Sequence, residues 1–143
     1  MNIKRSKVLL LIWCLASLSF AFSQNKETEN LFTNNTAKFR KFINGKNRDS
    51  ALVYLKRNEK IAETQQAEEF KYFLCLQKAQ YYKLIENNIE LLINANRAHA
   101  YFKRTNRVQN ELEAAFLLGS AYFTTSDYDS TLYFCDTYIP VAE

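Results

Sequence analysis

Apolar residues recur along this chain at steps of three and four, the spacing of one helix face, in six runs separated by short polar breaks. The clearest stretch is Leu112–Asp136. Ala115, Leu118, Gly119 and Tyr122 fall on one helical face, Thr124-Thr125-Ser126-Asp127 interrupts it, and Tyr128, Thr131, Leu132 and Cys135 resume it. Short polar side chains compete for backbone hydrogen bonds, so the interruption reads as a turn. Ser126 or Asp127 is placed to accept from the free N–H groups of the second helix. Gly119 and Ala121 are small enough to let a neighbouring helix come close. Upstream, Leu31, Phe32, Ala37, Phe39, Phe42 and Ile43 form a first run, ended by Asn44-Gly45-Lys46-Asn47 with Gly45 suited to a left-handed cap. Ala51, Leu52, Leu55, Ile61 and Ala62 form a second, up to a break at Thr64-Gln65-Gln66. Phe70, Phe73, Leu74, Leu76, Ala79, Tyr82 and Leu84 form a third. Ile89, Leu92, Ile93, Ala95, Ala98, Ala100, Tyr101 and Phe102 form a fourth, after a weak turn at Ile85–Asn88 that holds no Gly or Pro. Residues 24–30 read as a flexible lead-in, and Pro140 is expected to stop the last helix near Ile139, leaving 140–143 as a tail.

Leu117-Leu118-Gly119, Tyr122, Ser126-Asp127-Tyr128 and Thr131 together resemble the tetratricopeptide repeat, with Ser126 at the family's turn Gly and Thr131 at its usual Ala. The bulky aromatic expected at the start of that pattern is replaced by Ala115, with Phe116 beside it. The resemblance covers about residues 31–139 and implies an all-α fold: an α-solenoid of about three antiparallel helix pairs, with units near 31–64, 66–104 and 107–139. Matching Ala51, Ile89 and Thr131 in the second helices, and Leu76 with Leu118 in the first, gives spacings of 38 and 42 residues. Both exceed the family's usual period of about 34 and point to longer helices, as in its signalling-type arrays. About three such units are needed for stability, because a single one cannot bury its apolar face. With no amphipathic capping helix after the third pair, its outer flank is expected either to self-associate or to continue into a longer protein.

The resemblance further implies that the first helices form a concave face that holds a protein or peptide. Projecting the pattern places Lys71, Leu74, Lys78 and Tyr81 there from the second unit, and Glu113, Phe116, Ser120 and Phe123 from the third. Aromatic rings would supply buried area and lysines charge selection. The plain alternative is that the rings are core and the lysines solvated. The carboxylate clamp of chaperone-tail-binding members is not reproduced, because Thr36 and Cys75 stand at its positions.

Composition agrees with a helical chain. Two Gly and one Pro in 143 residues are too few for a turn-rich β fold, and 48% hydrophobic residues are enough for a packed core. Residues 1–23 read as an export signal: Lys4, Arg5 and Lys7 precede the apolar run Val8–Phe22, and Ala21 and Ser23 stand at the small positions before a cut ahead of Gln24. That run is short for a membrane span, which needs about 20 residues, so an uncleaved anchor is the lesser reading. Without the leader, 16 Lys and Arg face 15 Asp and Glu, and the excess positive charge nearly disappears. A nucleic-acid partner, which wants a concentrated basic surface, is not expected from this segment. The chain is expected to be exported, periplasmic or secreted, and to meet the membrane only through the leader.

Candidate chemistry is sparse. His99 is the one histidine and has no partner at ligand spacing, so no metal or cofactor is expected. Cys75 and Cys135 read as apolar core thiols on helices that are not nearest neighbours. Glu63, Glu68, Glu69, Glu111 and Glu113 read as solvated helix faces rather than catalytic pairs. The expectation is a non-enzymatic exported binding module. The alternative is the sensory front end of a membrane-anchored regulator, with a helix-turn-helix transcription factor or histidine kinase as its output; the sequence following Glu143 separates the two.

Overall fold

A computed structural model describes residues 26–65 and 67–142, the last two as backbone alone. The export signal, and the first two residues of the expected lead-in, lie outside the described residues. The described residues hold six helices and no strand: α1 over residues 26–44, α2 Arg48–Thr64, α3 Glu68–Leu84, α4 Asn88–Arg104, α5 Val108–Thr124 and α6 Tyr128–Ala142. Among these residues no helix is long and apolar enough to cross a membrane. The backbone divides into one compact unit up to Asn34 and a second from Asn35 onward. In the first, residues 26–34 are helical. Residues 26–30 are therefore not a loose lead-in: Lys26, Glu27 and Glu29 are good helix formers, and the acids suit a helix N-terminus. Everything below concerns the second unit, an all-α array of consecutive helix hairpins.

A strict period organises that array. Helices begin at 48, 68, 88, 108 and 128, and α2 to α5 have 17 residues each. The hairpin repeat is therefore 40 residues long. The turns follow the same beat: Lys46, Glu86, Asn106 and Ser126 all take positive φ, between 53° and 63°. In each turn the next N–H reaches back to an aromatic residue's carbonyl, Asn47 to Phe42, Asn87 to Tyr82, Arg107 to Phe102 and Asp127 to Tyr122, at 2.9–3.0 Å. This is the helix-ending bond expected around a left-handed residue. Gly45, the expected left-handed cap, does not take positive φ; Lys46 does, one position later. Cap chemistry also alternates. Asn47, Asn87 and Asp127 accept from the N–H three residues on, whereas Ala67 and Arg107 make no side-chain cap bond. Among α2 to α6, the second helix of each hairpin is capped this way and the first helices α3 and α5 are not.

The 40-residue beat corrects the register expected from sequence. Its equivalents are Ala51, Leu91 and Thr131, not Ala51, Ile89 and Thr131: Ile89 is 73% exposed, whereas Ala51 and Leu91 are buried. Likewise Leu76 corresponds to Phe116, and Leu118 to Lys78. Pro140 does not end α6, which runs on to Ala142. A proline removes only its own donor, so residues beyond it can still bond back into the last turn.

Two core clusters hold the array together. Phe39, Ala51, Leu55 and Leu74 join α1, α2 and α3. A larger one joins α3, α4 and α5 through Leu76, Ala79, Leu91, Phe102 and Leu118, with Phe134 of α6 against it. Rings tie neighbours further: Tyr72 stacks on Tyr101 at 4.2 Å, and Phe73 meets Phe102 at 5.1 Å. At Gly119 an added Cβ would meet that of Phe134 at 3.5 Å, ordinary contact, so the small residue marks where α6 comes close to α5. Between the first two hairpins a buried polar trio adds to the apolar cluster. Asn58 Nδ2 donates to Thr36 Oγ1 (3.1 Å) and Gln77 Oε1 (3.0 Å), and Gln77 Nε2 donates to Thr36 Oγ1 (2.9 Å). Cys75 is a buried free thiol whose pKa burial pushes up, as the core reading expects.

Candidate functional site

The first helices α1, α3 and α5 share one face, and a row of polar side chains crosses it. Arg40 of α1 pairs with Glu113 of α5 at 2.9 Å, and Gln80 of α3 donates to the other Glu113 oxygen. Lys83 Nζ lies 4.3 Å from the centre of the Phe116 ring, a cation–π distance. Phe116 and Phe123 are 68% and 62% exposed, a large apolar area for two rings on one helix. Ser120 between them donates to the Leu117 carbonyl, which turns its hydroxyl back onto α5. Arg40, Gln109, Asn110, Leu112 and Glu113 line an open depression of about 460 Å³ beside the row. The face thus offers a carboxylate already matched to a cation, a second cation over a ring, and exposed aromatic surface.

The eight residues expected on this face do not come together. Glu113, Phe116, Ser120 and Phe123 lie on it. Lys71, Leu74 and Lys78 instead line a groove of about 450 Å³ against α2, where Lys78 pairs with Glu59. Tyr81 packs against the Phe39–Ala51–Leu55 cluster, and Leu74 is part of that cluster. The cause is the register: aligning Leu76 with Leu118 displaces α3 by two residues, and two residues turn a helix by about 200°. In the 40-residue frame the counterparts of Glu113, Phe116, Ser120 and Phe123 are Phe73, Leu76, Gln80 and Lys83. The sequence reading missed Arg40, Gln80 and Lys83. The cap residues Asn47, Asn87 and Asp127, 40 residues apart, were the signal that would have found them.

Four of the five glutamates read as solvated faces have partners. Glu68 pairs with Arg104 and Glu69 with Arg107, both at the surface, where such pairs add little stability. Glu111 has a different role. It accepts from Tyr138 Oη at 2.9 Å, and Tyr138 Oη lies 2.6 Å from His99 Nε2. Because the tyrosine proton points to Glu111, the imidazole donates to Tyr138 from Nε2. His99 is thus partly buried, as expected for a lone histidine, but it links α4 to α6. Burial, then the Glu111 hydrogen bond and charge, push the Tyr138 pKa up to about 12, so its hydroxyl stays a donor at neutral pH. Burial, aided by Lys103 and opposed by Glu111, lowers the His99 pKa.

The sign of the pH effect follows. Below the ordinary histidine value of 6.5 the unfolded chain binds a proton that folded His99 resists. The stability due to neutral His99 is present above 6.5 and falls as pH drops towards the lowered folded pKa. Thermal unfolding at pH 7.5 and 5.5 is expected to show a smaller acid-induced drop in His99→Gln than in wild type. Equal drops would mean that His99 is not perturbed.

No family model, curated protein or solved structure matches this chain.

Proposed function

We propose that the chain is a non-enzymatic, exported protein- or peptide-binding module of the tetratricopeptide type, with its site on the first-helix face. The observation that carries this reading is the pair of exposed rings, Phe116 and Phe123, beside Lys83 and the Arg40–Glu113–Gln80 row. Exposed aromatic surface edged by charge suits a peptide that places apolar side chains on the rings and a carboxylate near Lys83. The paired Glu113 supports the same polarity, since its charge is already taken up by Arg40. The basic, apolar and small-residue order of 1–23 supports export. A peptide-display selection against the purified chain tests the reading. Selected peptides are expected to bind the double variant Arg40→Glu/Lys83→Glu at least about tenfold more weakly, a loss of about 1.4 kcal/mol.

A further inference from the structure

The 40-residue repeat lets the two junctions between hairpins be compared position by position, and they close differently. At the later one, where α4 meets α5, two rings of α6 lie against His99: Phe134 at 5.8 Å and Tyr138 at 5.5 Å between centroids. Tyr138 Oη reaches between His99 and Glu111 and bonds to both. Forty residues earlier, His99 and Glu111 become Glu59 and Lys71, which stand on the two walls of the groove between α2 and α3. The positions of Phe134 and Tyr138 are held there by Asn94 and Ala98 of α4. The Asn94 amide turns back onto its own helix, donating to the Glu90 carbonyl at 2.8 Å, and Ala98 has only a methyl group. Ala62, on the groove wall, likewise stands where the buried ring of Phe102 does. Three rings at the later junction thus correspond to one amide and two methyl groups at the earlier one, where a groove of about 450 Å³ stays open. That volume lies within the usual range of small-molecule sites, about 300–1,000 Å³.

The lining sets the chemistry of a guest. Ala62 and Leu74 give the groove an apolar floor, in the place that the later junction fills with rings. Of the charged side chains around it, Lys78 pairs with Glu59, and Glu68 with Arg104. Lys71 and Glu63 remain, and among the described residues neither has an ion-pair partner. The groove therefore offers one free cation on its α3 wall and one free carboxylate on its α2 wall. A guest with a single charge meets one match and one like charge, whereas a guest carrying both charges is matched at each.

We infer that this groove binds a free aromatic amino acid as its zwitterion, with the ring on Ala62 and Leu74, the carboxylate at Lys71 and the ammonium at Glu63. The site shares no residue with the first-helix face, so the two are tested apart. The probe is L-phenylalanine, titrated calorimetrically into the purified chain near neutral pH. L-Alanine lacks the ring, phenylpropionate the ammonium and phenethylamine the carboxylate. Each is expected to bind at least about tenfold more weakly than L-phenylalanine. Lys71→Gln and Glu63→Gln, both at exposed positions, are expected to weaken L-phenylalanine by a similar factor. Ala62→Phe, which copies the ring of the later junction and is checked for unchanged helicity, is expected to abolish its binding. Arg40→Glu/Lys83→Glu is expected to keep it. No binding of L-phenylalanine by wild type, or equal binding of its single-charge relatives, overturns the inference. So does binding that survives both Lys71→Gln and Glu63→Gln. Loss only in Arg40→Glu/Lys83→Glu also overturns it, and moves the amino acid to the first-helix face. Tighter binding of phenylalanine blocked at both ends overturns it in favour of a ring within a peptide.

Discussion

Phe102→Ala is expected to destabilise the chain by about 3–5 kcal/mol, the usual cost of emptying an aromatic site in a core that collapses only partly. Phe102 is fully buried in the cluster that joins α3, α4 and α5. Its ring meets Phe73 at 5.1 Å on one side and Tyr101 at 5.5 Å on the other. Its carbonyl also receives the Arg107 N–H at the turn into α5, so a shift of the last turn of α4 would reach the next hairpin. Among α2 to α6 the helix packing runs between neighbours, α5 resting mainly on α4, so a weakened middle helix leaves α5 and α6 with little else to pack on. Urea unfolding followed by circular dichroism measures the loss. Phe123→Ala, at a 62% exposed ring, is the control and is expected to stay within about 0.5 kcal/mol of wild type.

Asn58→Ala is the second large effect, expected to cost about 1–3 kcal/mol, because it strips a partner from a buried group. Asn58 is fully buried, and Gln77 is nearly so. Without the Asn58 amide, Gln77 Oε1 loses its donor and stays dry. The protein itself supplies the compensating experiment. One repeat later the positions of Thr36, Asn58 and Gln77 are held by Leu76, Ala98 and Leu117, all buried and apolar. Copying that junction as Thr36→Leu/Asn58→Ala/Gln77→Leu is expected to return stability to within about 1 kcal/mol of wild type or above it, since the three groups that bond one another are removed together. The wild-type trio is itself incomplete, because Asn58 Oδ1 has no hydrogen-bond partner among the described residues. A triple variant less stable than Asn58→Ala would show that the trio contributes more than its mutual bonds. Both are measured by the same urea titration.

The helices were legible in the sequence, but their register was not. Apolar spacing marked each run, since a period of three to four residues survives substitution. The turns gave little help: Lys46, Glu86, Asn106 and Ser126 take the left-handed conformation without glycine, so the residue that usually marks a helix end marks none of these. Two look-alike leucines, Leu76 and Leu118, then set the frame of α3 two residues out. On a helix that error changes the face, and it moved Lys71, Leu74, Lys78 and Tyr81 to the wrong side. The α5 part of the first-helix face was readable because Leu117-Leu118-Gly119 and Tyr122 fix the orientation of that helix. Arg40 and Gln80 were out of reach for another reason: their roles come from Glu113, 73 and 33 residues away, and no local pattern records such partners. The Glu111–Tyr138–His99 link spans three helices and was hidden in the same way.

The proposed binding role depends most on the first-helix face being where a guest is held. Its direct test is the affinity of one display-selected peptide for three forms of the chain: wild type, Arg40→Glu/Lys83→Glu, and Lys60→Glu on the exposed side of α2. A loss of about tenfold or more is expected for the double variant and none for Lys60→Glu. Equal affinity across all three, with helicity unchanged, would contradict it.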